Sequence, residues 1–166
     1  RFAKLWWLGV ILLVGIFTIT MVVPSFVNAR EERSNIISQP FVNAMDWLKV
    51  HSTPESKVLT ISMEGNVVTA LANRKNVIDE YFVLIPDADQ ILNDVGKMYT
   101  TQFPVEAIKL FNEYGVDYIL LSNTALLRYG IYSLPYERID CLRKVFDEGD
   151  IVIYQSRCKL EVVGNG

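Results

Sequence analysis

Residues 116–123 read VDYILLSN, and the way this stretch folds decides the architecture around it. Four apolar residues run without interruption from Tyr118 to Leu121, the pattern of a strand covered on both faces in the middle of a parallel sheet. Immediately upstream, VEAIKLFNEYG (105–115) carries Val105, Ile108, Leu110, Phe111 and Tyr114 at helical spacing. Pro104 stands at its first turn and Gly115 at its stop. One element earlier, QILNDVGKM (90–98) repeats Ile91, Leu92, Val95 and Met98 along a helix that Asp87 or Asp89 can cap.

Further upstream, KVLTISM (57–63) reads as a buried strand around Val58, Leu59 and Ile61, VVTALANR (67–74) as a helix, and NVIDEYFVL (76–84) as a second strand. QPFVNAMDWLKVHSTPES (39–56) places Phe41, Val42, Met45, Trp47 and Leu48 along a short helix closed by the Ser-Thr-Pro break. Downstream, CLRKVFDEGDIVIYQSRC (141–158) reads as a hairpin around Gly149-Asp150, with glycine first in the loop as a type II′ turn requires. With a two-residue loop, Glu148 faces Ile151, Val145 faces Tyr154 and Cys141 faces Cys158. A disulfide is then within reach, and a one-residue loop shift leaves two free thiols instead.

The expected fold class is α/β: a three-layer domain over 39–160, with a mostly parallel sheet of about five strands and a C-terminal antiparallel hairpin. Residues 161–166 read as a flexible tail. Before the domain, residues 5–27 carry no charged side chain and, as a straight helix, would reach about 34 Å, enough for a hydrocarbon core of about 30 Å. With Trp6 and Trp7 at one end and Pro24 at the other, residues 1–29 are expected to be a transmembrane helix and 30–38 a juxtamembrane connector. A signal peptide has a shorter apolar region, and a buried core helix rarely stays uncharged for so long. Arg1 and Lys4 precede the run, whereas Arg30-Glu31-Glu32-Arg33 cancels, which orients residue 1 to the cytoplasm and 30–166 outside the cell membrane. An initial Arg suggests a piece of a longer polypeptide.

The net charge of −3 over 166 residues gives no basic stripe for phosphates and excludes nucleic acid as a partner. His51 is the one histidine and sits at a predicted helix end, a poor start for a zinc or Ser/His site. Glu64 follows a strand at the edge where open α/β folds hold ligands, and Asp79-Glu80 fall at a similar edge. With Asn66 they are the candidate substrate-binding residues, able to hold sugar hydroxyls or a divalent cation, or simply to solvate loops. SMEGN (62–66) has one glycine and forms no phosphate cradle. NTALLRYGIY (123–132) suits core burial, or contact with lipid or a loop. No catalytic residue stands out.

The order DWLKVHSTPESKVLT (46–60), VLTISMEGNVVTALANRKNVIDEYF (58–82), FNEYGVDYILLSN (111–123) and IVIYQSRC (151–158) resembles the C-terminal part of archaeal and bacterial polytopic glycosyltransferases that use lipid-linked sugars. That class includes protein mannosyltransferases and oligosaccharyltransferase catalytic subunits. Where the latter carry W-W-D-Y-G this chain has SMEGN, so only Glu64 and Gly65 match; Ala72, Arg74 and Asp79 fit the following pattern better. The resemblance implies a terminal membrane helix plus an extracytoplasmic domain that supports acceptor binding or the catalytic loops. The catalytic carboxylates then lie in upstream membrane loops. Implied partners are the lipid bilayer, the upstream transmembrane part of the polypeptide, a polyprenyl-phosphate sugar, and a protein or glycan acceptor; any divalent cation belongs to the full-length parent. The rival readings are a single-pass anchored surface domain that binds a protein or carbohydrate, and a purely structural domain.

Overall fold

The computed structural model describes residues 2–22 and 38–158. Pro24, the Arg30–Arg33 charge cluster, most of the expected connector and the tail at 161–166 lie outside the described residues. The chain divides into two compact units, Arg1–Ser38 and Gln39–Gly166.

In the first unit, helix α1 (Phe2–Phe17) is followed by a π-helical segment, Thr18–Val22. The Thr18 hydroxyl donates to the Val14 carbonyl at 2.8 Å and the Thr20 hydroxyl to the Ile16 carbonyl at 2.8 Å, a competition that bends and widens a helical ladder. The α-helical part has 16 residues and rises about 24 Å, short of a hydrocarbon core of about 30 Å. Among the described residues no helix is long and apolar enough to cross a membrane, and the expected transmembrane helix is corrected accordingly.

In the second unit the elements run α2 (Gln39–His51), β1 (Lys57–Leu59), α3 (Ser62–Val67) with a π-helical continuation Val68–Ala72, and β2 (Lys75–Asn76). Then come a 3-10 turn (Phe82–Leu84), α4 (Ala88–Thr100), α5 (Pro104–Tyr114), β3 (Tyr118–Ser122), α6 (Asn123–Tyr129), β4 (Leu142–Glu148) and β5 (Ile151–Ser156). The sheet order is β2-β1-β3-β5-β4. β1 pairs parallel with β2 and β3, whereas β5 pairs antiparallel with β3 and with β4. The sheet is therefore mixed, a second correction to the expected fold class. The hairpin does not stand apart from the parallel strands: it docks along β3 and supplies half of the pairings.

VDYILLSN folds as expected of a covered strand. Every residue of β3 is buried, and alternation sends Tyr118 and Leu120 to one core, Ile119 and Leu121 to the other. The first core is closed by Phe41, Ala44, Met45 and Leu48 of α2 with Val68 and Ala72 of the π segment. The second is filled by Val95, Met98 and Tyr99 of α4 and Ala107, Leu110 and Phe111 of α5. Pro104 begins α5, and Gly115 ends it with φ 68, the left-handed conformation that favours glycine.

Two expected strands shrink. KVLTISM keeps only Lys57–Leu59 as a paired strand, and Ser62 already belongs to α3. Of NVIDEYFVL only Asn76 is in strand β2, because Asp79 turns the chain: its Oδ1 accepts from the Tyr81 amide at 2.9 Å and its carbonyl from the Phe82 amide at 3.2 Å.

Cys141 and Cys158 are bridged, with Cα atoms 4.9 Å apart. The bridge arises by a different register from the one expected. Glu148 faces Ile151, but a bulge between Lys144 and Phe146 sets Lys144 opposite Tyr154 and Leu142 opposite Ser156. The Arg157 amide consequently donates to the Cys141 carbonyl at 2.8 Å, and Cys158 reaches its partner from just beyond the end of β5. Gly149 has φ 61, and a Cβ there would lie 2.8 Å from Cγ of Pro40.

Candidate functional site

β1 and β3 are neighbouring parallel strands whose outgoing connections diverge. From β1 the chain passes through α3 to β2 on one side; from β3 it passes through α6 to the hairpin on the other. The carboxyl ends of two strands that diverge in this way are where open α/β sheets hold ligands. Glu64, in the helix after β1, and Ser122, the last residue of β3, meet there: the Ser122 hydroxyl donates to Glu64 Oε1 at 2.5 Å.

The local sequence turns Glu64 inward. A Cβ on Gly65 would lie 2.1 Å from the Ile78 carbonyl oxygen, so only glycine lets α3 press against residues 78 and 79. Asn76 Nδ2 fastens the contact by donating to the Gly65 carbonyl at 2.9 Å and to Thr69 Oγ1 at 2.9 Å. Ser122 does double duty, since its Oγ also accepts from the Ala125 amide at 3.0 Å as the cap of α6.

Glu64 is only 8% exposed, and its Oε2 is buried with no hydrogen-bond partner; the Thr60 hydroxyl at the end of β1 is likewise buried and unpartnered. Burial pushes the Glu64 carboxyl up to about 7, against the lowering effect of the Ser122 bond, with the Asp150 carboxylate adding to the rise. Tyr99 lies behind this edge. Its hydroxyl donates to the Leu120 carbonyl at 2.8 Å, its ring stacks on Tyr129 at 4.9 Å, and burial, then Glu64, raise its pKa well above the ordinary tyrosine value. Near neutrality the buried Glu64 carboxyl is therefore close to the balance between its protonated and ionised forms.

The other sequence candidates lie beside Glu64 in a different setting. Asn66 Nδ2 donates to Glu80 Oε2 at 3.3 Å on the surface, and Asp79 is half-buried and engaged in its own turn. Among the described residues no group of three or more His, Cys, Asp or Glu side chains could hold a metal ion. His51 sits at the end of α2, its Nδ1 on the Trp47 carbonyl at 2.9 Å and its ring stacked on Trp47 at 4.6 Å. It borders a groove of about 500 Å³ at the opposite edge of the sheet. Arg74 is buried near that end, and its five N–H donors are all used, on Ser52 Oγ and the carbonyls of Lys49, Ser52, Ala72 and Asn73.

Ser122, Thr60 and Asp150 were not singled out by sequence. The switch-point rule could have found Ser122, since it ends the strand next to β1; Asp150 needed the order of strands in the sheet, which places its turn at the same edge.

Comparison with known proteins bears on this fold. No protein-family model matches the chain, and no curated protein does. Among solved structures, the chain is similar to the C-terminal globular domain of an oligosaccharyltransferase from Archaeoglobus fulgidus. The TM-score is 0.56 at 16% identity, over 72% of this chain and 98% of that domain. A second structure of a C-terminal globular domain of oligosaccharyltransferase from the same organism matches with a TM-score of 0.49 at 16% identity, over 72% of this chain and 96% of the other. The first likeness shows a shared fold.

Proposed function

We propose that the second unit is an extracytoplasmic domain of a glycosyltransferase that uses a polyprenyl-phosphate-linked sugar, and that it supports acceptor binding or the catalytic loops without itself performing the transfer. The observation that carries this reading is the likeness to the Archaeoglobus fulgidus domain, which extends over 98% of that domain. The Cys141–Cys158 bridge supports a location outside the cytoplasm, because disulfides persist in oxidising compartments. Within the domain, the strand-end edge over Glu64 and Ser122 is the part that would face the acceptor or a catalytic loop. One carboxyl oxygen there is buried without a partner, and Asn66, Asp79 and Glu80 stand beside it.

The test is sugar transfer by membranes expressing the complete polypeptide that carries this domain, with the wild-type sequence and with Glu64→Ala. The reading expects transfer to fall with the variant while expression is unchanged. Full transfer by Glu64→Ala removes Glu64 from the site. An open reading frame lacking further hydrophobic spans upstream of Arg1 would remove the glycosyltransferase parent altogether.

A further inference from the structure

The segment between β2 and α4 presents apolar side chains where a folded domain ordinarily hides them. Tyr81 is 65% exposed, Val83 66%, Leu84 78% and Ile85 44%. Four large apolar residues within five positions form a contiguous patch, unlike the scattered single ones that need no explanation. The presentation is built and fixed. Phe82 packs against the core, the Leu84 amide donates to the Tyr81 carbonyl at 2.9 Å, and the Ile85 amide donates to the Phe82 carbonyl at 3.1 Å.

Charge identifies what would cover it. Between Lys75 and Lys97 the chain carries Asp79, Glu80, Asp87, Asp89 and Asp94 and no lysine, arginine or histidine. Asp94 is paired with Lys97, and among the described residues no ion pair neutralises Asp79, Glu80, Asp87 or Asp89. An apolar centre with an uncompensated acidic rim repels anionic lipid headgroups and attracts a cationic, apolar-bearing partner.

We propose that residues 79–89 are a docking surface for a basic amphipathic polypeptide segment, its apolar side chains on Tyr81, Val83, Leu84 and Ile85 and its lysines or arginines against Asp79, Glu80, Asp87 and Asp89. The Asn66–Glu80 hydrogen bond joins this surface to α3, so a bound segment would lie next to the helix that carries Glu64. The surface stands on exposure and charge alone and does not depend on glycosyl transfer.

The test uses the full chain and a fluorescent amphipathic peptide of lysine and leucine, followed by anisotropy at low and high salt. A peptide with glutamate in place of lysine, and vesicles of phosphatidylglycerol, serve as alternative occupants. Binding of the lysine peptide is expected to weaken roughly tenfold with Val83→Ser/Leu84→Ser, as for a central apolar contact. It should lose much of its salt dependence with Asp87→Asn/Asp89→Asn, and hold steady with Leu127→Ser, an exposed apolar residue elsewhere. All five positions are exposed, so far-UV circular dichroism of each variant should match the parent. Equal affinity for the glutamate peptide, indifference to both patch variants, or vesicle binding that falls with Val83→Ser/Leu84→Ser would each overturn the proposal, the last by making lipid the occupant.

Discussion

Replacing Glu64 by glutamine should change how the stability of the domain depends on pH, and the sign follows from burial. The carboxyl titrates near 4.5 in the unfolded chain and at about 7 in the folded one. The native state therefore binds a proton that the unfolded state has released, throughout the interval between those values. The stabilising contribution is complete below pH 4.5 and is lost as pH rises through about 7. At about 1.4 kcal/mol per pH unit, the displacement amounts to about 3 kcal/mol, as a ceiling. Glutamine keeps an acceptor for the Ser122 hydroxyl and cannot ionise. Its amide nitrogen replaces an oxygen that already lacks a partner, so at acid pH the two proteins are burdened alike. Guanidinium unfolding followed by circular dichroism across pH 4.5 to 8.5 should show the two stabilities converging at the acid end. Glu64→Gln should then become the more stable protein by up to about 3 kcal/mol at the alkaline end. A difference that stays constant over the whole range would refute the buried, proton-binding carboxyl.

Other consequences follow from the same contacts. Gly65→Ala drives a methyl into the Ile78 carbonyl and should destabilise the domain by about 3 kcal/mol, read as a lower denaturation midpoint at unchanged slope. Arg74→Met strips donors from the Lys49, Ser52, Ala72 and Asn73 carbonyls and from the Ser52 hydroxyl; a loss of about 3–5 kcal/mol is expected by the same measurement. Unreduced, unfolded protein should titrate no free thiol, and reduction of the bridge across its 17-residue separation should lower stability by about 3 kcal/mol.

Much of the scaffold was legible because its signals are local. Pro104 and Gly115 bracket α5, the apolar run from Tyr118 to Leu121 marks a strand packed on both faces, and Glu148, Gly149, Asp150 and Ile151 specify the hairpin turn. Misreadings arose where a side chain competes with the repeating ladder. Asp79 caps its own turn and leaves only Asn76 of a nine-residue apolar-rich run in a strand, and Thr18 and Thr20 bond back into a run that hydropathy alone reads as one straight span. The cystine was inferred through a register that the bulge between Lys144 and Phe146 displaces by one residue, yet the bridge forms because Cys158 lies past the paired strand and can swing to Cys141. Glu64 could be placed at a strand's carboxyl edge by counting, but its partner Ser122 is 58 positions away, and only the sheet order brings the two together.

The two edges of the sheet treat buried polar groups in opposite ways. At the amino edge Arg74 is buried with all five donors answered by carbonyls and a hydroxyl, some at the ends of α2 and of the π segment, where the helix dipoles also favour its charge. Nothing is left over there for a ligand. At the carboxyl edge Glu64 is equally buried, yet one of its oxygens and the neighbouring Thr60 hydroxyl have no partner, and the carboxyl is held near neutrality at a cost to the fold above pH 7. A core selected for stability alone would place an apolar side chain at such a position, since an apolar replacement of similar shape removes the unsatisfied group. The unfinished hydrogen bonding at Glu64, lying where the connections of β1 and β3 diverge, is thus a feature that packing for stability does not explain.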